Sequence, residues 1–366
     1  MAPRRRALPS TRSRARRAFT LIELLVAMGA GLMVALAALV LSRNAAKLFQ
    51  AEGRIAAAQL AATLGMNRLT TDLARAGFMS TPNVQTDPHV CSGAKATWPM
   101  GLQRLSAVTF YQDGSAAAHG AQLAQSTANG FTPDALVIGG SFDTTEEFPA
   151  GPPLAGPGGF VVHLEMQNGA MQRAIASGAA GGAQLTDIFR AGRFLRLVGP
   201  EDQEIYGVIS NVTVTGTPPV DVAVFLAPNP ALILGGGGQC AIAGLGGEGA
   251  WTANPVSRVR YDLRSLVGDI RYGQLVAPVS APMSGDQGRT ELVRVELDQD
   301  DNEIPGTLEV VAEYAVDLKF GIRAMNGPVA GTNPILGQTY LIQNGLGNPQ
   351  VYAVAGDVQA NVAATP

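Results

Sequence analysis

Lysine is nearly absent. Three occur in 366 residues, at 47, 95 and 319. Aromatic residues make up only 6% of the chain, and no cluster of basic and aromatic side chains stands out. A nucleic-acid surface needs clustered cations and stacking rings, so none is expected. Histidine is equally sparse: His89, His119 and His163 share no metal-ligand spacing. There is no Gly-x-Ser-x-Gly elbow and no phosphate-binding P-loop. Gly235-Gly236-Gly237-Gly238 lacks the lysine and following helix that cradle phosphate, and reads as a loop. No fixed-period repeat is present. These gaps leave no recognisable catalytic apparatus, and no enzyme is expected.

What is present sits at the start. Residues 1–18 hold seven arginines and no acid. Of the 26 Lys and Arg, 19 therefore remain beyond residue 18, against 29 acids, a formal charge of −10. Leu24 to Leu41 is entirely apolar apart from glycine. That stretch is long enough to span a bilayer as a helix, with the arginine-rich flank on the cytoplasmic side. Glu23 stands just inside the apolar run. A carboxylate there costs about 2.5–3.5 kcal/mol at mid-bilayer on insertion scales, so something must neutralise it.

Ala18-Phe19-Thr20-Leu21-Ile22-Glu23 resembles the cleavage and methylation motif of type IV pilins and type II secretion pseudopilins. The family has Gly before the cut where this chain has Ala. The resemblance implies cleavage between Ala18 and Phe19 by a prepilin peptidase, then N-methylation of Phe19. Glu23 then lies one helical turn from the new α-amine. It also lies at the positive end of the helix dipole. Pairing with that amine, or with a neighbour's, would make Glu23 the assembly residue. Two other readings compete. An ordinary single-span anchor explains the apolar run but not Glu23. A twin-arginine export signal fits Arg16-Arg17-Ala18-Phe19, but an acid in its apolar core is unexpected.

Beyond Leu41 the helical pattern continues. Leu48, Ala51, Ile55, Ala58, Ala62, Met66, Leu69 and Leu73 form one stripe, expected to pack on the soluble domain. Gly77 and Pro82 mark the stop. A helix from Phe19 to about Ala76 would measure about 85 Å. The expected organisation is a leader at 1–18, a helix at 19–77 and a periplasmic head at 78–366. The helix divides into a membrane or filament-core part (19–41) and an amphipathic part (42–77). Leu69-Thr70-Thr71-Asp72-Leu73-Ala74-Arg75-Ala76-Gly77-Phe78 resembles the region where PilW-type minor pilins end this helix.

In the head, short β-rich runs alternate with turns. Strands are expected over 107–111, 135–138, 160–166, 194–198, 205–214, 258–263, 292–297, 308–320 and 339–342, with a short helix over 185–191. The fold class is α+β: a long N-terminal helix packed on a mostly antiparallel sheet. Pilin-like proteins have that architecture and are mostly smaller. Large insertions or a second β lobe must account for the size, with a lobe boundary near 235–249. Cys91 and Cys240 fall in the periplasmic part, where disulfides form. A disulfide between them is expected, closing a loop of about 150 residues; two buried thiols are the competing reading. Asp298, Asp300, Asn302 and Glu309 match calcium-loop spacing, but Glu303 stands where that loop needs Gly. A solvated acidic hairpin turn is the competing reading. No other cofactor is expected.

The resemblance implies a minor pilin at or near the tip of a type IV pilus, first in the bacterial inner membrane and then extracellular. Its partners would be other minor pilins, the major pilin and a tip adhesin. The alternatives are a type II secretion pseudopilin and a membrane-anchored periplasmic binding module.

Overall fold

The computed structural model describes residues 20–91, 95–111, 131–177, 183–216, 219, 221–234, 240, 242, 251–276, 289–320, 339–343 and 349–353. The leader at 1–18 and Phe19 lie outside the described residues, as does the 235–249 stretch apart from Cys240 and Ile242. The chain divides into two compact units, 1–59 and 60–366. Helix α1, Leu21–Ala74, supplies the described residues of the first unit and the first element of the second.

In the first unit α1 is apolar all round over Leu24–Leu41. Leu21, Leu25, Met28, Leu32, Met33, Leu36, Leu39 and Leu41 are all exposed. Such a helix belongs in a bilayer or a bundle of helices. In the second unit Gly65, Leu69 and Asp72 are buried. This corrects the expected stripe. Ala62 and Met66 face outward, and the packed face runs through Ala61, Gly65 and Leu69. Gly65 is the reason: a Cβ there would come within 3.2 Å of the Val311 side chain and 3.3 Å of Ala312 Cβ. The missing side chain lets the strand over 309–312 approach the helix closely. The helix ends at Ala74, and Gly77 takes φ +75° while its N–H donates to Gly139 O at 2.8 Å. A left-handed residue just past the end is the usual task of glycine.

All described strands join one hydrogen-bonded network, so no separate second lobe is seen among them. In chain order they are β1 (Val108–Tyr111), β2 (Ala135–Gly140), β3 (Phe148–Ala150), β4 (Leu154–Gly156), β5 (Gly159–His163), β6 (Phe194–Val198), β7 (Glu204–Thr215), β8 (Asp221–Leu226), β9 (Trp251–Arg264), β10 (Glu291–Leu297), β11 (Glu309–Ala312), β12 (Thr339–Gln343) and β13 (Pro349–Ala353). Every pairing between them is antiparallel except β1 with β12. The fold is thus α+β, a long N-terminal helix with a large, mostly antiparallel sheet, consistent with a pilin-like architecture.

β9 is the hub. Its first half pairs with β3 and β6, its second with β2 and β10. The sequence marks only 258–263 of it, and the unmarked part holds Pro255, a residue that disfavours a central strand. Yet β3 stops opposite Ala253 and β2 starts opposite Ser257. Pro255 falls in that gap, where a residue without N–H is tolerated. Of the expected 308–320 strand only β11 forms. Tyr314 turns the chain at φ +59°, and Leu318 O accepts the Asp134 N–H.

Two regions of the sheet carry separate cores. Leu136, Ile138, Val259, Tyr261, Leu263 and Leu292 meet Leu69 of α1. Around β6, β7 and β8, a second core includes Phe148, Leu195, Leu197, Val224 and Trp251, covered by α2 (Gly169–Ser177) and α3 (Ala183–Ile188) through Met171 and Leu185. Close backbone approach limits substitution. A Cβ on Gly139 would lie 2.6 Å from Ser106 O and 2.9 Å from Leu105 Cδ1. Gly139→Ala is expected to cost about 1–3 kcal/mol in a denaturant titration; an unchanged midpoint would show that the Leu105–Ser106 segment yields freely.

Candidate functional site

The first turn of α1 carries a reciprocal cap. Glu23 N–H donates to Thr20 Oγ1 at 3.3 Å. The Thr20 N–H and hydroxyl both donate to Glu23 Oε2 at 3.1 Å. Thr20 is the N-cap and Glu23 stands three residues on, the capping-box arrangement. Sequence reasoning assigned Glu23 to an amine and to the helix dipole, not to a cap. The Thr-x-x-Glu spacing was the signal for the cap, and it lay in plain view. The cap fixes Glu23 at the helix start and satisfies two of the N–H groups that a helix end leaves unpaired. Ala18 and Phe19, the processing residues, lie outside the described residues.

At its other end α1 is held by a buried polar node. Asp72 Oδ2 accepts from Tyr261 Oη at 2.7 Å and from Arg294 Nε at 2.7 Å. All three side chains are buried. Burial, with the hydrogen bond to Asp72, pushes the Tyr261 phenol up. Burial by itself would depress the Arg294 guanidinium, but the Asp72 carboxylate more than reverses this and raises it. Arg75 completes the junction, donating to Phe142 O at 2.7 Å and Thr144 O at 2.8 Å. Removing one member of such a set strands the others away from water. Asp72→Asn is expected to cost about 1.5–3 kcal/mol. Urea unfolding of the detergent-solubilised chain reads this; an unchanged midpoint would mean that Arg294 finds another acceptor.

The remaining sequence-flagged residues separate into three groups. Cys91 and Cys240 are joined as a disulfide, with Cα atoms 5.2 Å apart. The bridge walls a cavity of about 20 Å³ lined by Trp98, Ile205, Tyr206 and Leu232, room for a single water. The calcium-spaced residues do not converge. Asp298 Oδ1 accepts the N–H groups of Asp300 (2.8 Å) and Asn302 (2.9 Å), while Glu309 lies 3.5 Å from Arg68. Among the described residues no three His, Cys, Asp or Glu side chains are grouped to hold a metal. Of the histidines, His163 Nδ1 lies 3.0 Å from Asp221 on the surface, His89 is exposed, and His119 lies outside the described residues.

The turn between β10 and β11 is acidic and partly solvated, with Asp300 and Asn302 exposed, but not all of its acids stay in water. Asp301 is buried and accepts from Arg258 and, at 2.6 Å, from Arg104. Glu303 accepts from Arg260, and Arg264 Nη1 lies 2.7 Å from it. These acids cover the outer face of β9, where Arg258 and Arg260 are almost fully buried. An open groove of about 340 Å³ borders this turn, between Asp298, Ile304 and Pro305 on one side and Gly192, Ser210 and Ala227 on the other.

Compared with known families, residues 13–39 match the model of the prokaryotic N-terminal methylation motif. No curated protein and no solved structure matches the chain. The motif supports a type IV pilin-like or pseudopilin-like protein, processed by a prepilin peptidase. It suggests a structural subunit that assembles with other pilins. With the apolar helix it is consistent with an inner-membrane anchor.

Proposed function

We propose that this chain is a minor pilin of a type IV pilus. It primes assembly in the inner membrane and sits at or near the tip. The methylation motif over residues 13–39 carries the reading. Size supports the position: a shaft subunit repeats at close axial spacing, and a head running from 78 to 366 fits such a lattice poorly. The PilW-type resemblance of 69–78 points the same way. Asp72 and Arg75, its acid and base, hold the helix end on the sheet.

The mechanism is association, not catalysis. After cleavage before Phe19, the Glu23 carboxylate pairs with an α-amine within a bundle of like helices. The tip-adhesin and minor-pilin contacts belong to this reading as further expectations. Its first test is mass spectrometry of the protein from living cells. A chain beginning at N-methylated Phe19 is expected, and retention of residues 1–18 would overturn the reading. Deletion then separates pilus from secretion system: loss of filaments is expected, whereas loss of protein secretion with filaments intact identifies a pseudopilin.

A further inference from the structure

The C-terminal hairpin hangs on the rest of the sheet by one edge. β12 pairs in parallel with β1 through Thr109↔Leu341, Phe110↔Ile342 and Tyr111↔Gln343. β13 pairs only with β12 among the described strands. β1 itself is four residues long, and its other side is taken by β2. A parallel ladder of this length is a weak attachment. Elements tied by one short edge open at the lowest free-energy cost. The chain just before is fixed. Phe320 N–H donates to Asp134 Oδ2 at 3.0 Å, and its ring centroid lies 5.5 Å from that of Phe110.

We infer that the β12-paired side of β1 is a strand-exchange site, filled by β12 of its own chain and able to take β12 of a second copy instead. When β12 leaves, the N–H and C=O groups of Val108–Tyr111 lose their partners on that side. An open edge recruits another strand. The occupant that fits is already defined: an uncharged strand, Thr-Tyr-Leu-Ile-Gln, running parallel to β1. A second copy carries that strand, and exchange of identical elements recreates every native pairing at little cost. Reach is no obstacle, since the backbone from Phe320 to Thr339 spans at most about 65 Å. The site is independent of the N-terminal helix, so it stands whichever filament or secretion system is served.

The test places Thr109→Cys on one full-length copy and Leu341→Cys on a second, differently tagged copy, co-produced and purified in detergent. Mild oxidation is expected to give a covalent dimer carrying both tags on a non-reducing gel. Both substitutions in one chain should instead give a monomer with an internal bond as the main product. Replacing Thr109→Cys by Thr213→Cys, on exposed β7, should abolish the dimer. An internal bond without any two-tag dimer overturns exchange. Absence of both products overturns the β1 site itself. A dimer equally strong with Thr213→Cys reduces the result to collision and also overturns the proposal. Retention of the native Cys91–Cys240 bond confirms that the variants are folded.

Discussion

Glu23→Ala is expected to leave the protein in the membrane fraction and remove it from sheared filaments. The apolar run of α1 does not need the carboxylate to insert. An acid at the start of that run is unfavourable, by up to about 3 kcal/mol, so its loss favours the bilayer. On the proposed function, what disappears is the charge that answers an α-amine in a dry bundle, where an unpaired ammonium is far costlier than in water. The capping box complicates a single substitution, because Ala also removes the acceptor for the two Thr20 donors. Glu23→Gln separates the two effects. Glutamine also serves in a capping box but carries no charge. Loss of both variants from filaments assigns the role to charge. If the Gln variant enters filaments and the Ala variant does not, the cap is what matters and the amine pairing is wrong. Immunoblots of sheared and membrane fractions read both.

Removing the disulfide is the second large effect. Cys91 and Cys240 are 149 positions apart, so the bond closes a long loop. In the chain-entropy model that constraint is worth about 5 kcal/mol, with measured cases commonly about 2–4. The bond also keeps a local arrangement. Cys91 N–H donates to Glu204 O at 2.8 Å, at the start of β7, and Ile242 N–H donates to Ile233 O at 2.8 Å. Leu232 and Leu234 pack on the core beside Ile242. The variant Cys91→Ser with Cys240→Ser should therefore unfold at clearly lower denaturant than the oxidised protein. The wild-type chain under reductant should follow it. Coincident unfolding curves for oxidised and reduced protein would refute a stabilising role.

Much of the fold was legible because its signals are local. Alternation marked β1, β2, β6, β7 and β10 within a few residues of their ends. Gly77 announced the end of α1. What stayed hidden needed a partner to be seen. Arg258-Val259-Arg260-Tyr261-Asp262-Leu263-Arg264 alternates charged and uncharged residues, and nothing within it marks the charged face as buried. The structure buries those charges, because Asp301 and Glu303 fold back over them from a turn that itself reads as solvated. The acids and arginines that neutralise each other lie some forty residues apart, and no short window of sequence contains both. The helix face was misassigned for a similar reason. Met66 is the better hydrophobe, but only Gly65 lets the 309–312 strand approach the helix closely.

Sequence alone determined the anchor, the acid at its start and the processing motif. Each is a property of consecutive residues meeting a bilayer or a peptidase, with no need of distant contacts. Tertiary structure decided which helix face is covered, where fourteen residues of β9 find partners, and which charges leave water. Those outcomes depend on chain segments far apart in order, whose pairing is fixed only when the whole sheet closes around them.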